Sequence, residues 1–230
     1  EVSKDDDIRV VVLYSTLPDI FCSGMDLKTA IPILTGVRAP ENEDEAWLIQ
    51  GLGSGVGEAM LKVPFVNKPV IAAIHGYCLT GGFEMVMGAD LRVASYDAVF
   101  QMREASLGIM PIGGGNVFLP RIISPCRALE ILLTADNYDA QTLYEWGFLN
   151  RVVARRELMP TAMALAGKIA ANGPLATQGI IRCSRETRAM DLSEALQREV
   201  AIGAPIFASE DAREGVRALR EKRTPDFPGK

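Results

Sequence analysis

The chain has 230 residues, 48% of them hydrophobic and 23% charged, with a formal net charge of −5. That composition supplies one substantial core, or one core plus a helical extension, and sits near the globular average rather than the disordered one. The acidic balance argues against a nucleic-acid-binding surface, and no apolar run approaches the ~20 residues of a membrane span.

No basic and then apolar leader opens the chain. Residues 5–7, three aspartates, read as a solvated entry to residues 8–14 (IRVVVLY), a β-branched run expected to form a strand buried on both faces. Residues 21–28 are turn-rich. Residues 32–57, rich in Pro, Gly and acids, suggest a long surface excursion with some helix over 43–50, the pattern of a lid or substrate loop. Residues 69–76 (PVIAAIHG) predict a second buried strand, after which Gly81-Gly82 permits a tight turn into an apolar helix over 83–88. Shorter strands are expected at 91–94 and 98–101. Strand, turn, helix, strand in that order favours an α/β fold with parallel strands. From about Ser124 onward, helical spacing dominates: residues 126–133, 140–146, 157–171, 174–187 and 192–206. A last helix opens at Ser209 with acids behind it and stops at Lys222-Arg223-Thr224-Pro225. This divides the chain into residues 1–123 and a helical region, 124–230.

Cys22, Cys78, Cys126 and Cys183 lack CxxC spacing and read as reduced thiols of a cytoplasmic or organelle-matrix protein. The single histidine, His75, excludes a His-rich metal site, and at a strand end it reads as a satisfied structural residue. Residues 51–57 (GLGSGVG) fail the GxGxxG spacing and read as a flexible loop. Gly113-Gly114-Gly115 fits a tight turn into a helix, Asp90 a tie to nearby groups such as Arg92, and Trp47 and Trp146 packing.

Two glutamates carry the chemistry. Glu84 lies one turn past the glycine pair, in Thr80-Gly81-Gly82-Phe83-Glu84, and Glu104 opens Glu104-Ala105-Ser106-Leu107-Gly108. Two carboxyls beside backbone N–H groups can add or remove a proton next to a carbonyl, and an N–H at Gly81 can stabilise a carbonyl oxygen as it becomes an enolate. Ser23-Gly24-Met25 is a candidate for a second such N–H. Read singly, the glycines are as well explained by close helix–strand packing, and each glutamate by a solvated or ion-paired role.

In combination these segments resemble the crotonase (enoyl-CoA hydratase/isomerase) superfamily. Residues 21–28 look like its first oxyanion segment, and residues 71–76 with 80–84 like its second. Residues 89–94 and 104–111 continue the match in order and spacing. Leu133-Thr134, Asp139-Ala140, residues 147–150 and Val152-Val153 resemble the connecting region, and residues 209–215 the last helix.

The resemblance implies a ββα spiral of stacked sheets with a C-terminal helical trimerisation region, assembled as a homotrimer or a dimer of trimers. It implies an acyl-CoA substrate whose thioester oxygen is held by the N–H groups of Met25 and Gly81. The two carboxylates are those of the true hydratases: Glu84 activates a water and Glu104 gives a proton to the α carbon. Ser23, Asp26, Leu27, Lys28, Phe227 and Lys230 fall where relatives bind coenzyme A, and no metal or redox cofactor is implied. Double-bond isomerisation, decarboxylation or thioester hydrolysis on the same enolate chemistry stay open, as does a non-catalytic CoA- or RNA-binding role. Roughly thirty residues of the family pattern, by the usual length of a strand pair plus a helix, lack a counterpart before residue 8; a longer natural chain or an open strand edge would follow.

Overall fold

The computed structural model describes residues 2–51, 60–62 and 66–230. Two compact units are present: one formed by residues 1–12, 66–71 and 163–230, the other by 13–65 and 72–162.

The strands form two four-stranded sheets. With β1 at Val11–Tyr14, β2 at Ile20–Cys22, β3 at Val70–Ile74, β4 at Tyr77–Leu79, β5 at Leu91–Ser95, β6 at Val99–Gln101, β7 at Tyr138–Asp139 and β8 at Arg151–Val153, the orders are β1-β3-β5-β8 and β2-β4-β6-β7. Through β6 the strands alternate between the two sheets, so up to that point consecutive strands do not pair; β6 and β7 do. The β2–β4, β4–β6 and β5–β8 pairs are parallel, as the strand–turn–helix–strand pattern predicts, while β6–β7 is antiparallel. β7 is too short to show a pattern in sequence.

β3 matches its reading: all five of its residues are buried. β1 does not. Its residues are half-buried to exposed, and Tyr14 is 53% exposed. The strand stands last in its sheet order among the described residues, and an apolar run does not distinguish a central strand from an outer one. β2 and β4 were not predicted, because three residues are too few to show alternation.

The helices of the larger unit are α1 (Leu27–Leu34), α2 (Glu43–Gly51), α3 (Gly81–Val86), α4 (Gly115–Ile122), α5 (Pro125–Thr134) and α6 (Ala140–Glu145), followed by the start of α7 (Leu158–Ala170). α2 falls where helix was expected. α1 lies in a stretch read as turn and loop: Asp26 caps it, accepting from the Lys28 N–H at 3.1 Å and the Thr29 hydroxyl at 2.8 Å. Pro32 lies inside this helix, two residues from its end, where it removes the N–H that would donate to the Lys28 carbonyl. The glycine-rich loop at 51–57 lies, beyond Gly51, outside the described residues.

Phe83, Phe100 and Phe148 form the centre of the larger unit. Their rings are 5.1 to 6.1 Å apart in tilted and edge-on arrangements, and each is at most 1% exposed. The Phe83 ring thereby fixes α3 against β6, one residue before Glu84. Arg92 closes the cluster from the side, its guanidinium 4.8 Å from the Phe148 ring centre and bonded to the Phe148 and Ala89 carbonyls. His75 is buried, its Nε2 2.8 Å from the Leu17 carbonyl oxygen, as a structural histidine should be.

In the smaller unit the rest of α7 precedes α8 (Pro174–Glu186), α9 (Leu192–Phe207) and α10 (Glu210–Glu221), close to the expected spans. Ser209 caps α10 through the Ala212 N–H. The acids at its start do more than complement a helix terminus. Buried Asp211 accepts from the Gly229 N–H at 2.8 Å, and buried Glu214 accepts from the Asp226 N–H and from both ends of the Arg223 guanidinium. These bonds lay residues 224–230 back along α10. The Arg223 guanidinium holds the Glu214 carboxyl down at about 2.

Replacing Phe83 by Ala empties the centre of the ring cluster and should cost about 3–5 kcal/mol, measured by urea denaturation. Glu214 contributes stability that is complete above its unfolded value of 4.5 and is lost as pH falls toward about 2. In Glu214→Gln the melting temperature should therefore be lower at neutral pH and flatter across that window.

Candidate functional site

The site is built where two turns touch. Gly24, with φ +84°, follows β2; Thr80-Gly81 follows β4, the parallel neighbour of β2. A Cβ on Gly24 would stand 2.0 Å from the Thr80 hydroxyl oxygen and 2.8 Å from the Gly81 nitrogen, so only glycine fits. Thr80 itself has φ 48° and ψ −119°, close to the first central position of a type II′ turn and unfavourable for a β-branched residue. It is held there by its N–H on the Gln101 carbonyl (2.7 Å), its hydroxyl on the Ser23 carbonyl (3.1 Å) and the Glu84 N–H on its own carbonyl (2.9 Å). The contact brings the backbone nitrogens of Met25 and Gly81 side by side: the Cβ position of Gly81 lies 3.8 Å from the Met25 nitrogen.

Both residues line a cavity of about 640 Å³. Its described walls are mostly apolar, with Leu27, Ile31 and Trp47 from α1 and α2 on one side and Leu107, Met110 and Ile112 on the other. Trp47, read from sequence as packing, is instead 51% exposed and lines this cavity. Trp146 does pack, 5.4 Å from the Tyr138 ring.

Glu84 and Glu104 both reach the same cavity, and both are buried. Their settings differ. Glu84 Oε1 accepts from the Gly115 N–H at 2.7 Å, at the start of α4. The Gly113-Gly114-Gly115 turn wraps its carboxylate closely enough that a Cβ on Gly113 would lie 2.5 Å from Oε2. Burial pushes the Glu84 carboxyl up, while the Gly115 N–H, the Lys62 ammonium and the Gly113 N–H oppose that rise. Glu104 opens a short 3₁₀ turn, Glu104–Leu107, closed by Gly108 in the left-handed region. Its Oε2 is buried without a hydrogen-bond partner, alone among the side-chain oxygens and nitrogens of the described residues. Burial raises the Glu104 carboxyl too, and the Glu84 charge raises it further. The two carboxyls share burial and differ in their hydrogen-bond partners.

Of the other predicted residues, Leu27 lines the cavity, while Ser23, Asp26 and Lys28 are exposed beside it on the Gly24 turn and the first turn of α1. Asp26 is occupied as the α1 cap, and its hydrogen bonds with Thr29 and the Lys28 N–H lower its carboxyl. Phe227 and Lys230 belong to the smaller unit. There the Phe227 carbonyl accepts from Arg9 at 2.7 Å and the Lys230 carbonyl from the Glu210 N–H at 2.6 Å. Lys62 was not anticipated. It is 3% exposed and sits behind the Gly113 turn; the signal was a lone charge inside the apolar run Met60-Leu61-Lys62-Val63-Pro64. Among the described residues no cluster of three or more His, Cys, Asp or Glu could hold a metal ion, and no helix is long and apolar enough to cross a membrane.

A buried carboxyl with a raised titration point is protonated in the fold where the unfolded chain is ionised, so it costs stability as pH rises above the unfolded value of 4.5. Glu104→Gln should thus melt at a higher temperature than the parent at pH 8, with the gain vanishing below about 4.5. Scanning calorimetry at both ends checks this.

Comparison with known proteins agrees with the geometry. The family described as enoyl-CoA hydratase/isomerase matches residues 1–230. Enoyl-CoA hydratase EchA19 of Mycobacterium tuberculosis is 38% identical over 226 residues, covering 98% of this chain and 82% of that protein. Carnitinyl-CoA dehydratase of Proteus mirabilis is 36% identical over 230 residues, covering 98% and 84%. Among solved structures, an enoyl-CoA hydratase from Bacillus anthracis superposes with a TM-score of 0.87 at 32% identity, covering all of this chain and 84% of that one.

Proposed function

Since the chain belongs to the enoyl-CoA hydratase/isomerase family of crotonase-fold acyl-CoA enzymes, we propose that it adds water across the 2,3 double bond of a 2-enoyl-CoA to give the 3-hydroxyacyl-CoA. The observation that carries this reading is the unlike pair of carboxyls on one apolar cavity. Glu84 is held by the Gly115 N–H, and Glu104 presents a buried oxygen without a protein partner.

In this reading the thioester oxygen accepts from the N–H groups of Met25 and Gly81, which draw charge out of the conjugated system and stabilise the enolate. A water held between the two carboxyls gives one proton to Glu84 while its oxygen bonds to C3. The neutral Glu104 gives its proton to C2, and the proton gained by Glu84 returns to Glu104 to reset the pair. Two coupled carboxyls titrate as a unit, so the rate should follow the protonation of the pair rather than of either group. The chemistry draws on the chain's own groups, with coenzyme A entering as part of the substrate. Ser23, Asp26, Leu27 and Lys28 beside the cavity are its candidate contacts. Run backward, the same steps dehydrate a 3-hydroxyacyl-CoA, the direction named for the Proteus relative.

Glu84→Gln and Glu104→Gln should each lower kcat for crotonyl-CoA hydration by about 10²–10⁴-fold, followed by loss of absorbance of the conjugated enoyl band. Near-normal rates in both would overturn the two-carboxylate mechanism. Conversion of 3-enoyl to 2-enoyl thioesters without water uptake would favour isomerisation instead. The reading includes assembly as a homotrimer or a dimer of trimers. In its support, Ile180, Val200 and Phe207 on α8 and α9 are 69%, 67% and 87% exposed, more apolar surface than a free helix face usually presents. Light scattering should return a mass of three or six chains.

A further inference from the structure

Lys62 is the one buried cation beside the acid–base pair that the mechanism above leaves without a task. Its position is set by close packing. The backbone of Met60 and Leu61 lies against Gly88, just past α3, where a Cβ would stand 2.4 Å from the Met60 carbonyl oxygen. The next side chain is thereby sent behind the glycine turn. Its ammonium donates to the Gly113 carbonyl and lies 5.0 Å from the centre of the Phe118 ring on α4. A Cβ on Gly114 would come within 2.8 Å of Nζ, so the absence of side chains in the turn admits it. On the opposite side of the same turn is the Glu84 carboxylate, 2.5 Å from the Cβ position of Gly113 and bonded to the Gly115 N–H. Lysine and glutamate thus bracket one glycine turn, and each is fastened to it.

Building on the hydratase reading, we propose that Lys62 is a positioning residue for the catalytic pair: it fixes the Gly113–Gly115 turn against Glu84 and supplies the positive charge that keeps Glu84 ionised while Glu104 stays neutral.

The charged groups in play are few. Lys62 faces Glu84, the Gly113 carbonyl and the Phe118 ring; Glu84 faces Lys62, the Gly113 and Gly115 N–H groups and Glu104. Placing a cation in a low-dielectric site costs desolvation, and burial brings the Lys62 ammonium down to about 8 despite the opposing pull of Glu84. Such a lysine is a poor stabilising device. A buried charge that acts on a single neighbour inside a functional cleft fits an electrostatic role better than a packing one. The sign follows. Below about 8 the ammonium is charged and favours the Glu84 carboxylate. Above that point the support fades as Lys62 loses its proton.

The test compares the parent with Lys62→Met and Lys62→Arg. Isotope-edited infrared titration of the glutamate carboxyls, with the Glu84 band assigned by its loss in Glu84→Gln, needs no substrate. In Lys62→Met, which keeps the bulk and drops the charge, the Glu84 band should ionise at a higher pH than in the parent; in Lys62→Arg it should return toward the parent value. The parent band should also show a second step near pH 8 as Lys62 deprotonates. That step is readable even if Lys62→Met does not fold. In crotonyl-CoA hydration, the acid limb of kcat/KM should move the same way. The expected cost is about tenfold in rate for each pH unit of displacement on that limb, with KM little changed and the rate recovered at higher pH. A Glu84 band that titrates identically in all three proteins, with no second step in the parent, overturns the proposal. Absence of hydration in the parent itself overturns the hydratase reading, while the infrared result still decides the role of Lys62.

Discussion

The backbone at Gly24 approaches the Thr80-Gly81 turn so closely that no Cβ can be accommodated between them, and the functional geometry of the larger unit hangs on that contact. It joins the ends of two parallel strands, β2 and β4, and sets the Met25 and Gly81 nitrogens next to each other. The cost is visible in Thr80, a β-branched residue in a positive-φ turn position, retained by hydrogen bonds on its N–H, its hydroxyl and its carbonyl. Strain of this kind persists where the surroundings over-determine it, and it is concentrated here at the mouth of the cavity.

From this contact α3 departs, and the helix delivers Glu84 because Phe83 is locked in the ring cluster with Phe100 and Phe148. The glycine turn before α4 then receives the carboxylate. Its three missing side chains serve two purposes, room for Glu84 in front and for Lys62 behind. Glu104 follows β6, at the start of the 3₁₀ turn Glu104–Leu107, and its Oε2 is buried without a hydrogen-bond partner. What distinguishes the two carboxyls is their neighbours, since both are buried and both are chemically alike. A hydrated active site needs that asymmetry, because two equally solvated glutamates would titrate together near their ordinary value and neither would be the acid.

Long, strongly patterned elements were legible in the sequence. β3 and the helices α5 to α10 lie within a few residues of their expected spans, the longer helices because apolar periodicity over ten or more residues leaves little choice and β3 because its apolar run is unbroken. Several of the shortest elements were not: β2, β4, β7 and β8 carry too few positions to show alternation, and each pairs with a neighbour in its sheet. α1 was hidden because its segment reads as turn and loop and carries Pro32 inside the helix. The outer position of β1 and the exposure of Trp47 were equally unreadable, since both depend on what lies alongside.

By itself the sequence determined the two glycine turns, the order of the two carboxyls and the family to which they belong, because these rest on residue type and spacing along the chain. Only the tertiary structure decided that the two turns touch, that Glu84 is held by the Gly115 N–H while a Glu104 oxygen goes unpaired, and that Lys62 stands behind the turn between them. The physical reason is that burial and proximity set the charge state of a carboxyl. Both are made by segments that are distant in sequence, 22 residues from Lys62 to Glu84 and 31 from Glu84 to Gly115 (84 − 62 and 115 − 84), and that meet only when the sheets close.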